Sequence, residues 1–261
     1  MEVLIAYLVL GAFAGTLAGL LGIGGGLVIV PVLAWVFRAG GFSSEVLMQA
    51  AVGTSLATIV VTSISSVLAH HRRGAVLWRT FAVLTPGVLT GALLGALAAH
   101  VIASDGLRVL FGVFELTVAA QMGLGLRPAP HRELPGRIVT TSVGVVIGLI
   151  SALVGIGGGT MTVPYLVWCN VPVRNAVATS AAVGLPISVA GATGFALTGL
   201  ESTMPAGSLG YVYVPAFGAI VVTSALFAPA GARLAHTLPT SVLKRVFAVF
   251  LAVVGAKMLV G

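Results

Sequence analysis

An all-α polytopic membrane protein is the fold class this sequence predicts. It is expected as two inverted-topology repeats, each with four full spans and one short, Gly-interrupted half-helix. Three observations lead there. Of 261 residues, 58% are hydrophobic and 7% charged, whereas soluble domains carry about 25% charged residues. Such a chain cannot cover itself with a polar surface and needs lipid as its solvent. The apolar residues also fall into ten runs bounded by charges and loops. Finally, "GIGGGLVIVP", Gly22 to Pro31, returns as "GIGGGTMTVP", Gly155 to Pro164.

The runs read as follows. Val3–Leu21 is a full span; the N-terminus lacks a basic stretch and carries Glu2, so it reads as a retained helix rather than a cleaved signal. Leu27–Phe37 is short, and Val46–Ala69 is long and uncharged. Thr80–Ser104, Val109–Leu126 and Ile138–Val154 each reach across, since about 20 apolar residues span a bilayer. Thr160–Val171 is short again, and Asn175–Leu200, Gly210–Ala232 and Val246–Val260 complete the set. Both short runs follow a GIGGG.

The basic residues decide whether the short runs cross. If all ten runs cross, Arg72, Arg73, Arg79, Arg127, Arg132, Arg137, Arg174, Arg233, Lys244 and Arg245 share one side, against Arg38, Arg108 and Lys257. If the short runs turn back, the split is 7 to 6. The positive-inside rule favours the 10 to 3 split and makes the larger group cytoplasmic. Both termini are then expected outside the cytoplasmic membrane.

The duplication extends beyond glycine. Gly22–Gly26 aligns with Gly155–Gly159 at an offset of 133, which also places Pro31 on Pro164. Thr54–Ser55 in "VGTSLA" faces Thr179–Ser180 in "VATSAA". The ends align at an offset of 136, pairing His100 with His236, Arg108 with Lys244 and Met122 with Met258. Five crossings per copy, an odd number, invert the second copy, an arrangement typical of secondary transporters. The repeats are expected at 1–125 and 138–261, joined by a polar, Pro-rich cytoplasmic linker at 126–137.

The glycines free the backbone from helix geometry. A new helix must start near Gly26–Leu27 and near Gly159–Thr160. Its first N–H groups have no partner within the helix and carry the positive end of the dipole. Beside a protein-lined cavity, such an end suits an anion. Candidate substrate-binding residues are therefore Gly22, Gly24, Gly25, Gly26, Thr54 and Ser55, with Gly155, Gly157, Gly158, Gly159, Thr160, Thr179 and Ser180. Packing is the competing reading. Gly11, Gly15 and Gly19 are spaced by four, as are Gly144 and Gly148, the pattern of close helix contacts. Membrane Ser and Thr also bond their own helix backbone, so only the paired Thr-Ser positions rise above that reading.

Other chemistries are poorly supplied. Hard cations want several oxygen ligands, and transition metals want His or Cys clusters. Neither set is visible, and no cofactor is expected. Of six acids, only Glu115 falls well inside a span, where it costs roughly 2.5–3.5 kcal/mol on insertion scales. It is either a proton-coupling residue or a protonated or paired structural group. Cys169 reads as a small core residue, and His100 and His236 as interfacial. The net charge of +7 comes without a basic face or stacking module, so nucleic acid is not an expected partner. The expected partners are a small anion and the lipid bilayer. A passive channel would share these features. An intramembrane hydrolase would need a nucleophile and base or a metal cluster, and neither GxSxG nor HExxH occurs.

The twin GIGGG–Pro segments, the paired Thr-Ser helices and the duplicated ends resemble the TauE/SafE sulfite exporter family of bacterial membrane transporters, over nearly the whole chain. The resemblance implies movement of sulfur-containing anions such as sulfite, sulfonates, sulfoacetate or thiosulfate, with proton coupling as an option. It carries Gly22–Gly26, Gly155–Gly159 and the Thr-Ser pairs as site residues. The copies are not equivalent, since the stretch from Pro31 to Thr54 is eight residues longer than its partner.

Overall fold

A computed structural model describes residues 2–21, 25–125, 133–234 and 240–260. Ten helices occur among them: α1 (Glu2–Leu21), α2 (Gly26–Ala39), α3 (Leu47–Arg72), α4 (Trp78–Val101), α5 (Ser104–Gly123), α6 (Arg137–Val154), α7 (Gly159–Trp168), α8 (Val173–Thr198), α9 (Val214–Leu234) and α10 (Thr240–Val260). The helices α3, α4, α5, α6 and α8 are long and apolar enough to cross a bilayer; Leu4–Leu17 and Val214–Phe227 are shorter apolar stretches of α1 and α9. Val9, Leu97, Val113, Val246 and Val253 lie more than half exposed. So large an apolar surface is stable only against lipid.

Small residues let the backbones touch. A Cβ on Gly87, Gly91 or Gly95 of α4 would meet the carbonyls of Thr141, Val145 and Leu149 in turn, so α4 and α6 run parallel in direct contact. Gly144 and Gly148 face back onto Leu84 and Val88. Gly11 and Gly15, at the same positions of the first copy, press on Ile220, Thr223 and Ser224 of α9. The packing role proposed for these glycines is therefore real. Each copy's first helix lies on the other copy's fourth.

Two hydrogen bonds repeat this exchange. Thr179 Oγ1 accepts the Leu77 N–H at 2.9 Å, and Thr54 Oγ1 accepts the Tyr213 N–H at 3.0 Å. Leu77 and Tyr213 are 136 residues apart, the register of the duplicated ends. Each α3 or α8 threonine thus satisfies a backbone donor ahead of the other copy's fourth helix.

The antiparallel pair α3–α8 forms the spine, with Gly53 against Phe195, Gly191 against Leu56 and Gly184 near Ser63. At the Leu47 end, Met48 N–H donates to Ser104 Oγ at 2.9 Å, Arg108 Nη1 donates to Met258 O at 3.1 Å, and Lys257 Nζ lies 4.4 Å from the centre of the Trp35 ring. At the Arg72 end, Arg174 Nη2 donates to Arg73 O at 3.2 Å, and Asn175 Nδ2 to Ala75 O at 2.9 Å. The sequence assigned these basic residues to opposite sides, and they occupy opposite ends of a helix about 39 Å long.

Two boundaries differ from expectation. The helix expected from Gly210 is preceded by a two-stranded antiparallel hairpin, β1 (Ser208–Leu209) and β2 (Val212–Tyr213). Gly207 and Gly210 have φ of +87° and +55°, which a right-handed helix cannot include. The run expected to start at Val109 begins instead at Ser104. Asp105 lies in the first turn, where the dipole favours an acid, and pairs with Arg108 at 3.3 Å. Charges used as a span boundary are thus inside the helix.

Candidate functional site

The half-helices begin alike. Gly25 precedes α2 with φ +50° and ψ −26°, and Gly158 precedes α7 with φ +74° and ψ −6°. These positions are 133 residues apart. The left-handed conformation costs an L-residue roughly 1–2 kcal/mol, which explains glycine at both. Gly25 O accepts from the N–H groups of Val28 and Ile29, and Gly158 O from those of Met161 and Thr162. The N–H groups of Gly26, Leu27, Gly159 and Thr160 are left without helical acceptors. Pro31 and Pro164 lie inside these short helices and withhold a donor from the carbonyls of Leu27 and Thr160.

The second glycine stretch occupies the middle of the spine. Gly157 approaches Ile59, the thirteenth of the 26 residues of α3, and Gly184, the twelfth of the 26 residues of α8. Gly155 ends α6 with φ +76°. Its carbonyl accepts the Ser55 hydroxyl at 2.9 Å. A Cβ on Gly26 would lie 2.5 Å from that same carbonyl. The two glycine motifs therefore adjoin. From this junction α2 leads towards the end holding Arg108 and Lys257, while α7 leads to Cys169 and on to Arg174.

Unpartnered hydroxyls collect at the α7 start. Measured from where a Cβ on Gly158 would stand, Thr162 Oγ1 is 3.5 Å away and Ser151 Oγ 3.6 Å. Both residues are fully buried, and neither oxygen has a hydrogen-bond partner. The oxygens of Thr160 and Ser180 are likewise buried and unpartnered. Ser180 is one turn before Gly184 on the same face of α8. An unsatisfied buried hydroxyl costs roughly 1–3 kcal/mol, so a group of them is an unusual expense for structure alone.

The expected residues thus divide. Gly25, Gly26, Gly155, Gly157, Gly158, Gly159 and Thr160 come together with Ser55 at the junction. Gly22 and Gly24 lie outside the described residues. Thr54 and Thr179 serve the cross-copy bonds above, and Ser55 holds Gly155. Thr58, Thr62 and Ser188 bond carbonyls of their own helices. Ser151 and Thr162 were missed; the signal was available, since Ser151 stands four residues before the second GIGGG in apolar sequence and Thr162 three residues after it. Glu115 on α5 is fully buried and neither carboxylate oxygen has a partner. Among the described residues, no group of three His, Cys, Asp or Glu could hold a metal.

Paired broken helices inside a bundle of long apolar ones define a multi-pass membrane transporter. The family model described as Sulfite exporter TauE/SafE matches residues 7–258, and the chain belongs to that family. A probable membrane transporter protein of Haemophilus influenzae is 35% identical over 253 residues, covering 96% of each chain. The probable membrane transporter protein YunE of Bacillus subtilis is 29% identical over 272 residues, covering 96% of this chain and 95% of YunE. A probable membrane transporter protein of Methanocaldococcus jannaschii is 32% identical over 210 residues, 79% of this chain and 74% of that one. No solved structure matches the chain. The protein is a membrane transporter, not an enzyme.

Proposed function

We propose that the protein carries small sulfur-containing anions of the sulfite, sulfonate or thiosulfate class across the bacterial cytoplasmic membrane. It does so by alternating access between two inverted halves, residues 1–125 and 138–261, with 126–137 as the cytoplasmic linker and both termini outside. The observation that carries this reading is the junction of Gly26 with Gly155. The start of α2 meets there the glycine stretch that leads into α7, Gly157 of that stretch lies at the middle of the α3–α8 spine, and the two short helices run to opposite ends. Two-fold exchange of α1 and α6 between the copies, and the matching Thr54 and Thr179 bonds, support the inverted arrangement.

Glu115 is the candidate proton carrier. The duplicated register puts Leu251 at its counterpart, also fully buried. Leucine satisfies packing at that position, so the acid has a use other than packing. Binding is tested by thermal unfolding of detergent-purified protein with sulfite, thiosulfate and small sulfonates. A bound anion raises the melting temperature, and Gly158→Leu removes that rise while the protein remains folded. The reading fails if no sulfur anion shifts the wild-type transition.

A further inference from the structure

The hydroxyl group at the α7 start has no counterpart in the first copy. In the 133-residue register, Ser151, Thr160 and Thr162 fall on Ala18, Leu27 and Ile29. Leu27 and Ile29 are 2% and 3% exposed and belong to the main apolar cluster. The α2 start therefore brings no hydroxyl donor, and Ser55, the nearest one from α3, is committed to the Gly155 carbonyl. The backbone has kept its repeat while the chemistry has diverged.

The donors present are neutral. Along the helices enclosing the α7 start, basic residues are remote. Arg174 is ten residues before Gly184 on α8, Arg137 fourteen before Ser151 on α6, and Arg72 thirteen after Ile59 on α3. These separations are about 15–21 Å of helix. A helix N-terminus supplies the equivalent of roughly half a positive charge. Hydroxyl and N–H donors with that dipole match one negative charge. A second charge would be desolvated without a cation to offset it.

We propose that the anion site is one-sided and selects singly charged anions. A sulfonate or hydrogensulfite oxygen is held by the hydroxyls of Ser151 and Thr162 and the N–H groups of Gly159 and Thr160. This rests on the sulfur-anion reading above and adds where the donors lie and which charge they accept. Methanesulfonate and thiosulfate make the test, since they share an SO3 group and a similar shape but carry one and two charges. Affinities are measured by calorimetry on the full chain in detergent, for wild type, Thr162→Val and Thr162→Ser. The wild type should bind methanesulfonate about tenfold more tightly than thiosulfate. Thr162→Val should weaken methanesulfonate about tenfold or more, the usual scale for a hydrogen bond to a charged group, while Thr162→Ser keeps most of the affinity. Ser151→Ala is the second variant should Thr162→Val not fold, with the same loss expected. Equal or tighter thiosulfate binding overturns the charge selection. Unchanged methanesulfonate affinity in Thr162→Val or Ser151→Ala overturns the one-sided donor set. If wild type binds neither anion, the sulfur-anion reading itself is lost.

Discussion

Gly26→Ala isolates the contact between the two glycine motifs. Gly26 is the first residue of α2 and has no left-handed φ, so alanine fits its backbone. Helix propensity favours alanine by about 1 kcal/mol in a helix interior, and less is gained at a first position. The new Cβ would lie 2.5 Å from Gly155 O and 3.1 Å from Ile156 Cα, where ordinary contact begins near 3.4 Å. Something must move by about 0.9 Å. The carbonyl cannot yield freely, because Gly155 is a left-handed helix end and Ser55 holds its oxygen at 2.9 Å. Overpacking of this kind costs typically 1–3 kcal/mol, so a net destabilisation of about 0–2 kcal/mol remains after propensity. Displacing the α2 start from the second glycine stretch should impair transport far more than that figure suggests. The assay is sulfite flux into proteoliposomes beside denaturation in detergent. Gly41→Ala is the comparison, since Gly41 has φ +79° but nothing within 4 Å of its Cβ position. It should lose about 1–2 kcal/mol and keep wild-type flux. Wild-type flux in Gly26→Ala, or equal flux loss in Gly41→Ala, would show that the motif junction is not where transport depends on close packing.

Two further outcomes are expected. Glu115→Gln keeps the shape of a fully buried, unpartnered side chain; it should fold and bind anion as wild type does but lose accumulation driven by a pH gradient, measured in proteoliposomes with and without that gradient. In a Cys169→Ala background, a membrane-impermeant maleimide added to intact cells should label Arg38→Cys and not Arg73→Cys; the reverse pattern would invert the proposed topology.

The sequence was legible where one physical constraint dominated. Lipid as solvent demands long apolar segments, and these fixed the order of all ten helices, including the short α2 and α7. Backbone strain demanded glycine at Gly25 and Gly158, so the repeat announced both breaks. Charges misled as boundaries, because Asp105 and Arg108 satisfy each other within α5. The hairpin before α9 escaped because Val212 and Tyr213 are as apolar as a span. Thr54 and Thr179 were read as ligands from their pairing; each oxygen accepts a backbone N–H of the opposite copy, a two-fold role that accounts for the pairing and does not use the hydroxyl's own proton. Ser151 and Thr162 escaped for the converse reason. A search guided by symmetry passes over residues that only one copy possesses.

That asymmetry follows from what each constraint governs. Steric demands fall on the backbone and act on both copies: Gly25 and Gly158 share a left-handed φ, and Gly26 of one motif touches Gly155 of the other. Neither motif can change without disturbing its partner, so the glycines persist as a pair. Donors to a ligand face no such demand. On the reading proposed here one small anion has few oxygens, and a single helix start with the hydroxyls of Ser151 and Thr162 can occupy them. A second polar start would leave more buried hydroxyls unpaired, at roughly 1–3 kcal/mol each. Leu27 and Ile29 avoid that cost and add apolar packing instead. A duplicated backbone with one polar and one apolar start is therefore the expected outcome when two halves share a single small ligand.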